Sequence, residues 1–369
     1  MTSRARDLGI TVAQYGLAVV ALAWLLTQFD IASAVDLLAG VKIQTVLAIV
    51  AVSTLGICGR VYSWYAVITP LAPVRFRTAA GTTLIVNFVN QLLPSRLSGR
   101  LAAPFVLRSQ TGMAYSDAAA ASALHTGIFA LYYGVAATAG LVLAIPLLRL
   151  ELILLLALAT SLYFAAGLAI LFGGLNLSYL DRLIGWLSGV AVRVPRFGEG
   201  LAARLDGLLE FTDSSTTTFR SLASEPAVWL RYAVGWAVDL VLAPGVRVGL
   251  LLGSFGVAFE PLVALPLYLL VAYTVTLLPL TPGGIGITEA TATAVFVALG
   301  IPAEVIIPII FVDRFLSIYL PSLALVSLRS TRCHVIDDGV VGGKRSGKSR
   351  KRLRTADAGS CRTRRHVPE

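Results

Sequence analysis

The chain has 369 residues, of which 57% are hydrophobic and only 14% are charged, and its mean hydropathy is +0.81. Soluble domains carry roughly a quarter charged residues. This composition therefore excludes a soluble enzyme with a water-exposed cleft, because too few polar residues are present to cover a globule. The net charge of +10 is concentrated in residues 329–369, which hold 12 of the 30 Lys and Arg residues and 4 of the 20 Asp and Glu residues. The basic charge belongs to a tail, so we expect a membrane protein and no nucleic-acid partner.

The cysteines and histidines do not form a metal site. Cys58, Cys333 and Cys361 are not spaced like a disulfide framework or a zinc motif, and three histidines are scattered along the chain. The sequence therefore predicts no metal and no cofactor.

The first half of the chain contains uncharged stretches near the ~20 residues that a helix needs to cross a bilayer. Residues 8–29 form the first of these stretches, and a cleavable secretory signal is the competing interpretation. The apolar core of a secretory signal is usually ~7–15 residues long, and this one is longer, which favours a retained helix. Residues 43–69 follow, interrupted by Arg60. Long helices are also predicted near 116–146, interrupted by His125, and 152–173.

The other predicted segments are shorter or more polar. A short apolar segment, 79–93, stops at Pro94 and is predicted to be a half-helix. Residues 176–225 mix acidic and basic side chains with apolar residues at helical spacing, which predicts interfacial helices. The remaining apolar segments are 227–253 with a kink at Pro244-Gly245, 261–279, a second short one at 283–299, and 303–328.

These segments predict an all-α, polytopic membrane protein with about eight transmembrane helices. Two of them are short and broken by Pro or Gly, a form that re-entrant segments take, and the similar places of Pro94 and Pro282 suggest an internal repeat. The expected domains are a membrane domain, 1–328, in which 176–225 is a solvated connection, and a basic tail, 329–369, whose composition predicts disorder. The tail either binds anionic lipid or is a solvated end without a role. Positive charge at both ends predicts that both termini face the cytoplasm.

The first short segment ends in a polar motif. Its amides, proline and arginines are, in chain order, Asn87, Asn90, Gln91, Pro94, Arg96 and Arg100. Amides within hydrocarbon must find partners or line a polar cavity. Guanidinium groups bind phosphate oxygens bidentately, so the two arginines are candidates for holding a lipid phosphate. The alternative is that they only anchor a helix end on the positive side of the membrane.

The second short segment opens with a glycine-rich turn. Its candidate binding residues are Pro282, Gly283, Gly284, Gly286 and Glu289. Backbone N–H groups at a helix start favour an anion, although glycines also serve close helix packing in membranes. A salt bridge from Glu289 to Arg314 is predicted. Its role is either structural support or handling of the substrate, and the sequence favours neither. Four further residues are candidates for charge coupling: Arg60, His125, Asp239 and Asp313. Of these, His125 is either a packed hydrogen-bonding residue or a proton relay.

Together these motifs resemble the flippase-like family of lysylphosphatidylglycerol synthase transmembrane regions. The resemblance covers about residues 10–328. The family's Leu-Pro-x-Arg element falls on Leu93, Pro94 and Arg96, its Pro-Gly-Gly-x-Gly…Glu element on 282–289, and its late arginine on Arg314. The resemblance implies a polytopic protein linked to lipid movement between leaflets, without the fused aminoacyltransferase domain of bacterial multiple peptide resistance factors. Stand-alone relatives accompany glycosyltransferases that use polyprenyl or dolichyl phosphates.

We therefore expect a multi-pass plasma-membrane protein that binds and translocates a phosphate-bearing lipid, either a polyprenyl- or dolichyl-phosphate-linked sugar or a phospholipid. No catalytic residues are predicted. One alternative is an integral-membrane transferase acting on such a lipid, which the lack of a carboxylate pair for Mg²⁺ disfavours. The other is a scaffold for a soluble glycosyltransferase partner.

Overall fold

The computed structural model describes residues 3–27, 36–92, 102–176, 198–278 and 280–322, and every regular element in these ranges is a helix. All of them belong to one unit, Met1–Leu325. The predicted all-α class is confirmed for this part of the chain. The basic tail, residues 329–369, and the motif residues Pro94, Arg96 and Arg100 lie outside the described residues.

The helices follow the predicted segments closely. The first half contains α1 Ser3–Thr27, α2 Ile43–Ile68, α3 Phe76–Leu92, α4 Ala103–Thr111, α5 Tyr115–Ala144 and α6 Leu150–Leu175. The second half contains α7 Gly198–Ala223, α8 Pro226–Ala237, α9 Ala243–Ser254, α10 Leu265–Ala272, α11 Ile287–Ala298 and α12 Ala303–Arg314.

Four helical stretches in the described ranges are long and apolar enough to cross a membrane: Ile43–Ile68, Tyr115–Leu147, Leu150–Leu175 and Pro226–Ser254. Three shorter apolar helices accompany them: Val12–Ala21, Leu262–Leu277 and Ile287–Ala298. A multi-pass membrane protein is therefore confirmed, whereas eight crossings and re-entrant segments stay predictions. The segment predicted as a span at 261–279 is less regular than expected, because 3₁₀ turns at Leu262–Ala264 and Tyr273–Leu277 flank α10.

Helix α5 lies at the centre of the bundle. It packs against α4, α6, α7 and α10 and buries a series of small residues, among them Ala121, Ala130 and Ala137. A Cβ atom on Gly134 would come within 3.0 Å of the Phe164 backbone on α6. Small residues at such contacts let helices approach closely in a bilayer, where apolar burial gives helices no preference for each other over lipid.

Helix α7 occupies the described part of the segment predicted to be interfacial. It lies against the start of α5, where Thr218 donates to Asp117 Oδ1 at 2.7 Å and Ser214 donates to Ser116 Oγ at 3.0 Å. Phe219 on the same helix is buried. Polar contacts at one end of α5 and an apolar contact beside them therefore hold this helix to the bundle.

Two π-helical segments interrupt the regular α-helices of the bundle. Val238–Leu242 joins α8 to α9 directly before Pro244, and Phe315–Tyr319 follows α12. A proline cannot donate a backbone hydrogen bond, and its ring clashes with the carbonyl group of the residue four positions earlier. The regular α-helical hydrogen bonds therefore cannot continue through a proline. The kink predicted at Pro244 thus takes the form of a π segment, and Asp239 lies on it.

Helices α2 and α8 touch through two glycines. A Cβ atom on Gly235 would lie 2.6 Å from the Gly59 carbonyl oxygen, and one on Gly59 would lie 2.7 Å from the Gly235 carbonyl oxygen. This contact sets the separation between the helices that carry Arg60 and Asp239.

We expect Gly235→Ala to lower the free energy of unfolding by about 1–3 kcal/mol, because the added methyl group forces the two backbones apart. Gly173→Ala is the matched control: it is a helical glycine with nothing within 4 Å of its Cβ position, and alanine there should be neutral or stabilising by about 0.5–1 kcal/mol. Thermal unfolding in detergent measures both variants. Equal melting temperatures for the two would contradict the packing assigned to Gly235.

Candidate functional site

A polar cavity of about 150 Å³ lies inside the bundle between α2, α3, α5, the α8–α9 stretch, α10 and α12. Its polar and aromatic lining includes Arg60, Asp239, Asp313 and Arg314, the amides Asn87, Asn90 and Gln91, and the rings of Trp64, His125, Tyr133, Tyr232, Trp236 and Tyr273. A single water needs about 10–15 Å³. The cavity is therefore large enough for a polar group of a ligand.

Arg60 on α2 forms the ion pair closest to solvent. Its Nε and Nη2 donate to the two carboxylate oxygens of Asp239, both at 2.9 Å, and its Nη1 donates to the Ser317 carbonyl at 2.9 Å. In an α-helix that carbonyl would accept from residue 321, which is a proline. The Arg60 guanidinium thus donates to the Ser317 carbonyl in place of the missing proline N–H. Through these bonds Arg60 connects α2 to both π segments.

Arg247 and Asp313 form a second pair deeper in the protein. Arg247 donates through Nε and Nη2 to Asp313 Oδ1 at 2.9 and 2.7 Å, and the Tyr273 hydroxyl donates to Asp313 Oδ2 at 3.0 Å. The two charged side chains are only 2% and 1% exposed, against 20% and 10% for Arg60 and Asp239. Both oxygens of Asp313 are therefore occupied by donors from the protein.

The predicted pair between Glu289 and Arg314 is present. Arg314 Nε donates to Glu289 Oε1 at 2.9 Å, Tyr319 donates to the same oxygen at 3.0 Å, and the Gly286 N–H donates to Oε2 at 2.7 Å. Glu289 thereby caps the start of α11 by accepting from the Gly286 N–H, one of the backbone groups that were predicted to bind an anionic ligand. The backbone anion site predicted at Gly286 is consequently filled by the protein's own carboxylate.

The two predicted polar motifs meet at one wall of the cavity. Gly283 has φ +60° and lies so close to α3 that a Cβ atom there would be 2.5 Å from Gln91 Oε1. One turn earlier on α3, Asn87 Nδ2 donates to Ser322 Oγ at 3.1 Å. The end of the first short segment therefore packs directly on the glycine turn of the second.

Several buried polar atoms of the lining have no hydrogen-bond partner among the described residues. They are Asn90 Oδ1, Gln91 Oε1, Trp236 Nε1 and Arg314 Nη2. Nearly all buried polar atoms in proteins are paired, because an unpaired one loses its hydration without compensation. All four belong to residues that line the cavity, but each atom has almost no accessible surface, so these unpaired groups lie within the cavity wall.

Aromatic rings form another part of the lining. The imidazole of His125 stacks on Trp64 with ring centroids 3.8 Å apart, and the Tyr232 hydroxyl donates to the His125 carbonyl at 3.0 Å. Tyr133 donates to the Leu270 carbonyl at 2.9 Å. His125 is thus packed between aromatic neighbours, while its ring still lines the cavity.

The structure brings most of the predicted site residues into one region. Arg60, Asn87, Asn90, His125, Asp239, Asp313 and Arg314 line the cavity, Gly283 and Glu289 contact lining residues, and Gly286 binds Glu289. Gly284 is buried at φ +75°, with Thr288 Oγ1 2.7 Å from its Cβ position, and the backbone of Pro282 begins the same turn. Their role in binding stays a prediction.

Sequence reasoning did not select Arg247, Tyr273 or Trp236 as site residues. Arg247 carried a usable signal, since a charge within an apolar helix needs a partner. Tyr273 and Trp236 carried none, because aromatic residues are common throughout membrane helices. In the described ranges no three His, Cys, Asp or Glu side chains are placed to hold a metal ion.

The whole described domain corresponds to one known family. The family model of the lysylphosphatidylglycerol synthase TM region matches residues 8–324. The chain belongs to this family. Comparison with curated proteins and with solved structures found no match.

As a lysylphosphatidylglycerol synthase TM region, the chain is a multi-pass membrane domain related to lipid modification or transport. The matched range contains both short motifs and all three ion pairs. The cavity is therefore part of the family's domain.

We expect Arg247→Met to lower the free energy of unfolding by about 3–5 kcal/mol, because it leaves the Asp313 carboxylate buried without a counter-charge. The double variant Arg247→Met/Asp313→Asn should recover most of this loss, since the asparagine oxygen still accepts from Tyr273. Exposed Arg231 on the preceding helix supplies the control, and Arg231→Met should change stability by no more than about 0.5 kcal/mol. Unfolding in detergent gives the three values, and a double variant as unstable as the single one would contradict the pairing.

Proposed function

We propose that this protein binds the headgroup of a phosphate-bearing lipid in the buried cavity and moves it between the leaflets of the membrane. The lipid would be a polyprenyl- or dolichyl-phosphate-linked sugar or a phospholipid. The observation that carries the proposal is a cavity inside an apolar helix bundle that is lined by charged and amide side chains. Membership of a family named for a lipid-modifying enzyme agrees with it.

Energetics support a transport site over a purely structural cluster. Three arginines and three carboxylates inside a bundle of apolar helices are costly to bury, and a hydrophobic replacement of a buried ion pair is often at least as stable. Ionisable groups within membrane segments usually mark a substrate path. A polar route for a headgroup requires such groups, whereas helix packing alone does not.

Arg314 is the residue best placed to meet a phosphate oxygen. Its Nε is taken by Glu289, but its Nη2 has no partner, and its guanidinium lies 5.7 Å from the Tyr273 ring and 5.8 Å from the Tyr319 ring. These neighbours hold the planar group beside the cavity. A charged donor to a phosphate oxygen forms one of the stronger hydrogen bonds available to a protein.

The broken helices support movement of the headgroup. The two π segments and the Pro282–Gly284 turn all lie beside the cavity, and Arg60 joins both π segments. Discontinuous helices at a central site are a common feature of transporters that alternate access to the two sides. Rearrangement at these points would open the cavity without unfolding the long helices.

The two alternatives fit the cavity less well. A transferase using Mg²⁺ needs carboxylate oxygens for the metal, but the carboxylate oxygens of Asp239, Asp313 and Glu289 all accept hydrogen bonds from arginines and other protein donors. A scaffold for a soluble glycosyltransferase needs a binding surface and has no use for an internal polar cavity. Transport accounts for the cavity directly.

Arg314→Lys should slow leaflet exchange at least tenfold in vesicles containing the purified protein and phosphatidylglycerol with a fluorescent acyl chain. Lysine can keep the pair with Glu289, but it lacks the second nitrogen of the planar group. Exchange is followed by quenching the fluorophore in the outer leaflet, and Arg231→Lys at an exposed position is the control.

Wild-type protein that exchanges no more lipid than protein-free vesicles would contradict translocation and favour the scaffold. Full activity in Arg314→Lys would remove Arg314 from the site. Folding of every variant is checked by its elution as a single species in detergent.

A further inference from the structure

A groove of about 530 Å³ lies between α6, the end of α7 and the start of α8, and none of its lining residues lines the polar cavity. One wall is a single face of α6, because its residues follow three-to-four spacing. We call this surface the α6–α8 groove. Its lining includes Leu168, Leu171, Phe172 and Leu175 from α6, and Phe219, Arg220, Ala223, Ser224 and Trp229 from the opposite side.

The α6–α8 groove faces the lipid. Helix α6 is long enough to cross a bilayer, and Phe172 and Leu175 on its wall are 62% and 36% exposed. Apolar side chains exposed on a spanning helix contact acyl chains, because the bilayer core contains no water. From Leu168 to Leu175 the wall is about 10 Å long, and it stops where α6 ends and the hydrocarbon gives way to headgroups. The groove can therefore hold the part of an acyl chain nearest its headgroup.

Arg220 lies at this end of the groove with its charge only partly compensated. Its Nε and Nη2 donate to the Leu175 carbonyl at 2.9 and 2.7 Å, and the side chain is exposed. The C-terminal dipole of α6 offers only about half a negative charge. Among the described residues no carboxylate forms an ion pair with Arg220, and its Nη1 makes no hydrogen bond. The Leu175 carbonyl thus fixes the guanidinium without neutralising it.

The distribution of basic residues indicates which side of the membrane this is. Helices α2 and α8 are antiparallel, since Gly59 lies against Gly235 and Gly56 against Ala243. The end of α2 therefore lies on the same side as the start of α8, which Arg220 precedes. An excess of basic residues marks the cytoplasmic side, whose leaflet is rich in anionic lipids. Arg75, Arg77, Arg108 and Arg220 lie at this end, whereas Lys42 and Arg149 lie at the other.

We propose that the α6–α8 groove binds one anionic phospholipid of the cytoplasmic leaflet, with an acyl chain along α6 and the phosphate on Arg220. The phosphate supplies the acceptor that Nη1 lacks and the full negative charge that the Leu175 carbonyl does not supply. Trp229 forms the facing wall with its N–H already donated to the Ala223 carbonyl at 2.8 Å, a place near the headgroups that is typical of tryptophan. This site is separate from the polar cavity.

Photo-crosslinking tests both the site and its headgroup preference. The full-length protein in detergent is incubated with phosphatidylglycerol or phosphatidylcholine that carry identical acyl chains with a diazirine group near the ester, and labelled residues are mapped by mass spectrometry. We expect phosphatidylglycerol to label residues 168–175 and 219–229 roughly fivefold more than phosphatidylcholine does, the factor that one basic residue near the membrane surface contributes for an anionic lipid. Equal labelling by the two lipids would overturn the inference.

A matched pair of arginine variants locates the headgroup contact. Arg220→Gln removes the charge and should reduce labelling by phosphatidylglycerol to the level of phosphatidylcholine. Arg231→Gln is the control, because Arg231 is also exposed, lies on α8 near the same side of the membrane, and does not line the groove. A preference for phosphatidylglycerol that persists in folded Arg220→Gln would contradict the assigned contact.

A third variant tests the groove if Arg220→Gln loses its contact with α6 and fails to fold. Ala223→Leu keeps Arg220 but adds bulk to the lining of the groove, so labelling of residues 168–175 by phosphatidylglycerol should fall to the level of phosphatidylcholine. Unchanged labelling in this variant would overturn the inference. Crosslinking requires no transport, so these outcomes are independent of whether the cavity translocates a lipid.

Discussion

The structure depends on one constraint: a charge inside an apolar bundle must have an opposite charge within hydrogen-bonding distance. Arg60, Arg247 and Arg314 meet this condition through Asp239, Asp313 and Glu289. Asp313 and Arg314 are neighbours on α12, so their side chains point about 100° apart around the helix. One faces Arg247 on α9 and the other faces Glu289 on α11, and the same two residues therefore fix α12 between two other helices.

This constraint also connects distant parts of the chain. Arg60 on α2 joins the π segment that carries Asp239 to the π segment that contains Ser317. Both π segments lie near prolines, where the regular helical ladder cannot continue. The places where backbone hydrogen bonding is weakest are thus the places where the buried charges supply additional bonds.

Family membership and the chemistry of the cavity give different kinds of information. The match over residues 8–324 establishes the membrane domain, while the atoms lining the cavity determine which headgroups could be accommodated. One scaffold can serve several lipids when its outer helices are kept and a few inner side chains change.

Much of the fold followed from the sequence alone, because helices in a bilayer must be about 20 apolar residues long and must pair their own backbone groups. That rule located the long helices, the short α3 and the glycine turn before α11. It also marked Arg60, Asp239, Glu289 and Arg314 as residues in need of partners, and it led to the correct pairing of Glu289 with Arg314.

Only the tertiary structure decided the other pairings and the shape of the site. Arg60 could have paired with Asp313 as well as with Asp239, since residues 179 or more positions apart are brought together by packing rather than by spacing. Close approach at Gly59 and Gly235 sets the separation of α2 and α8, and that separation places Arg60 within reach of Asp239. The sequence determined which groups could not remain alone in the membrane, whereas the packing of the helices determined which partner each one met, because distance and direction between helices exist only in the folded chain.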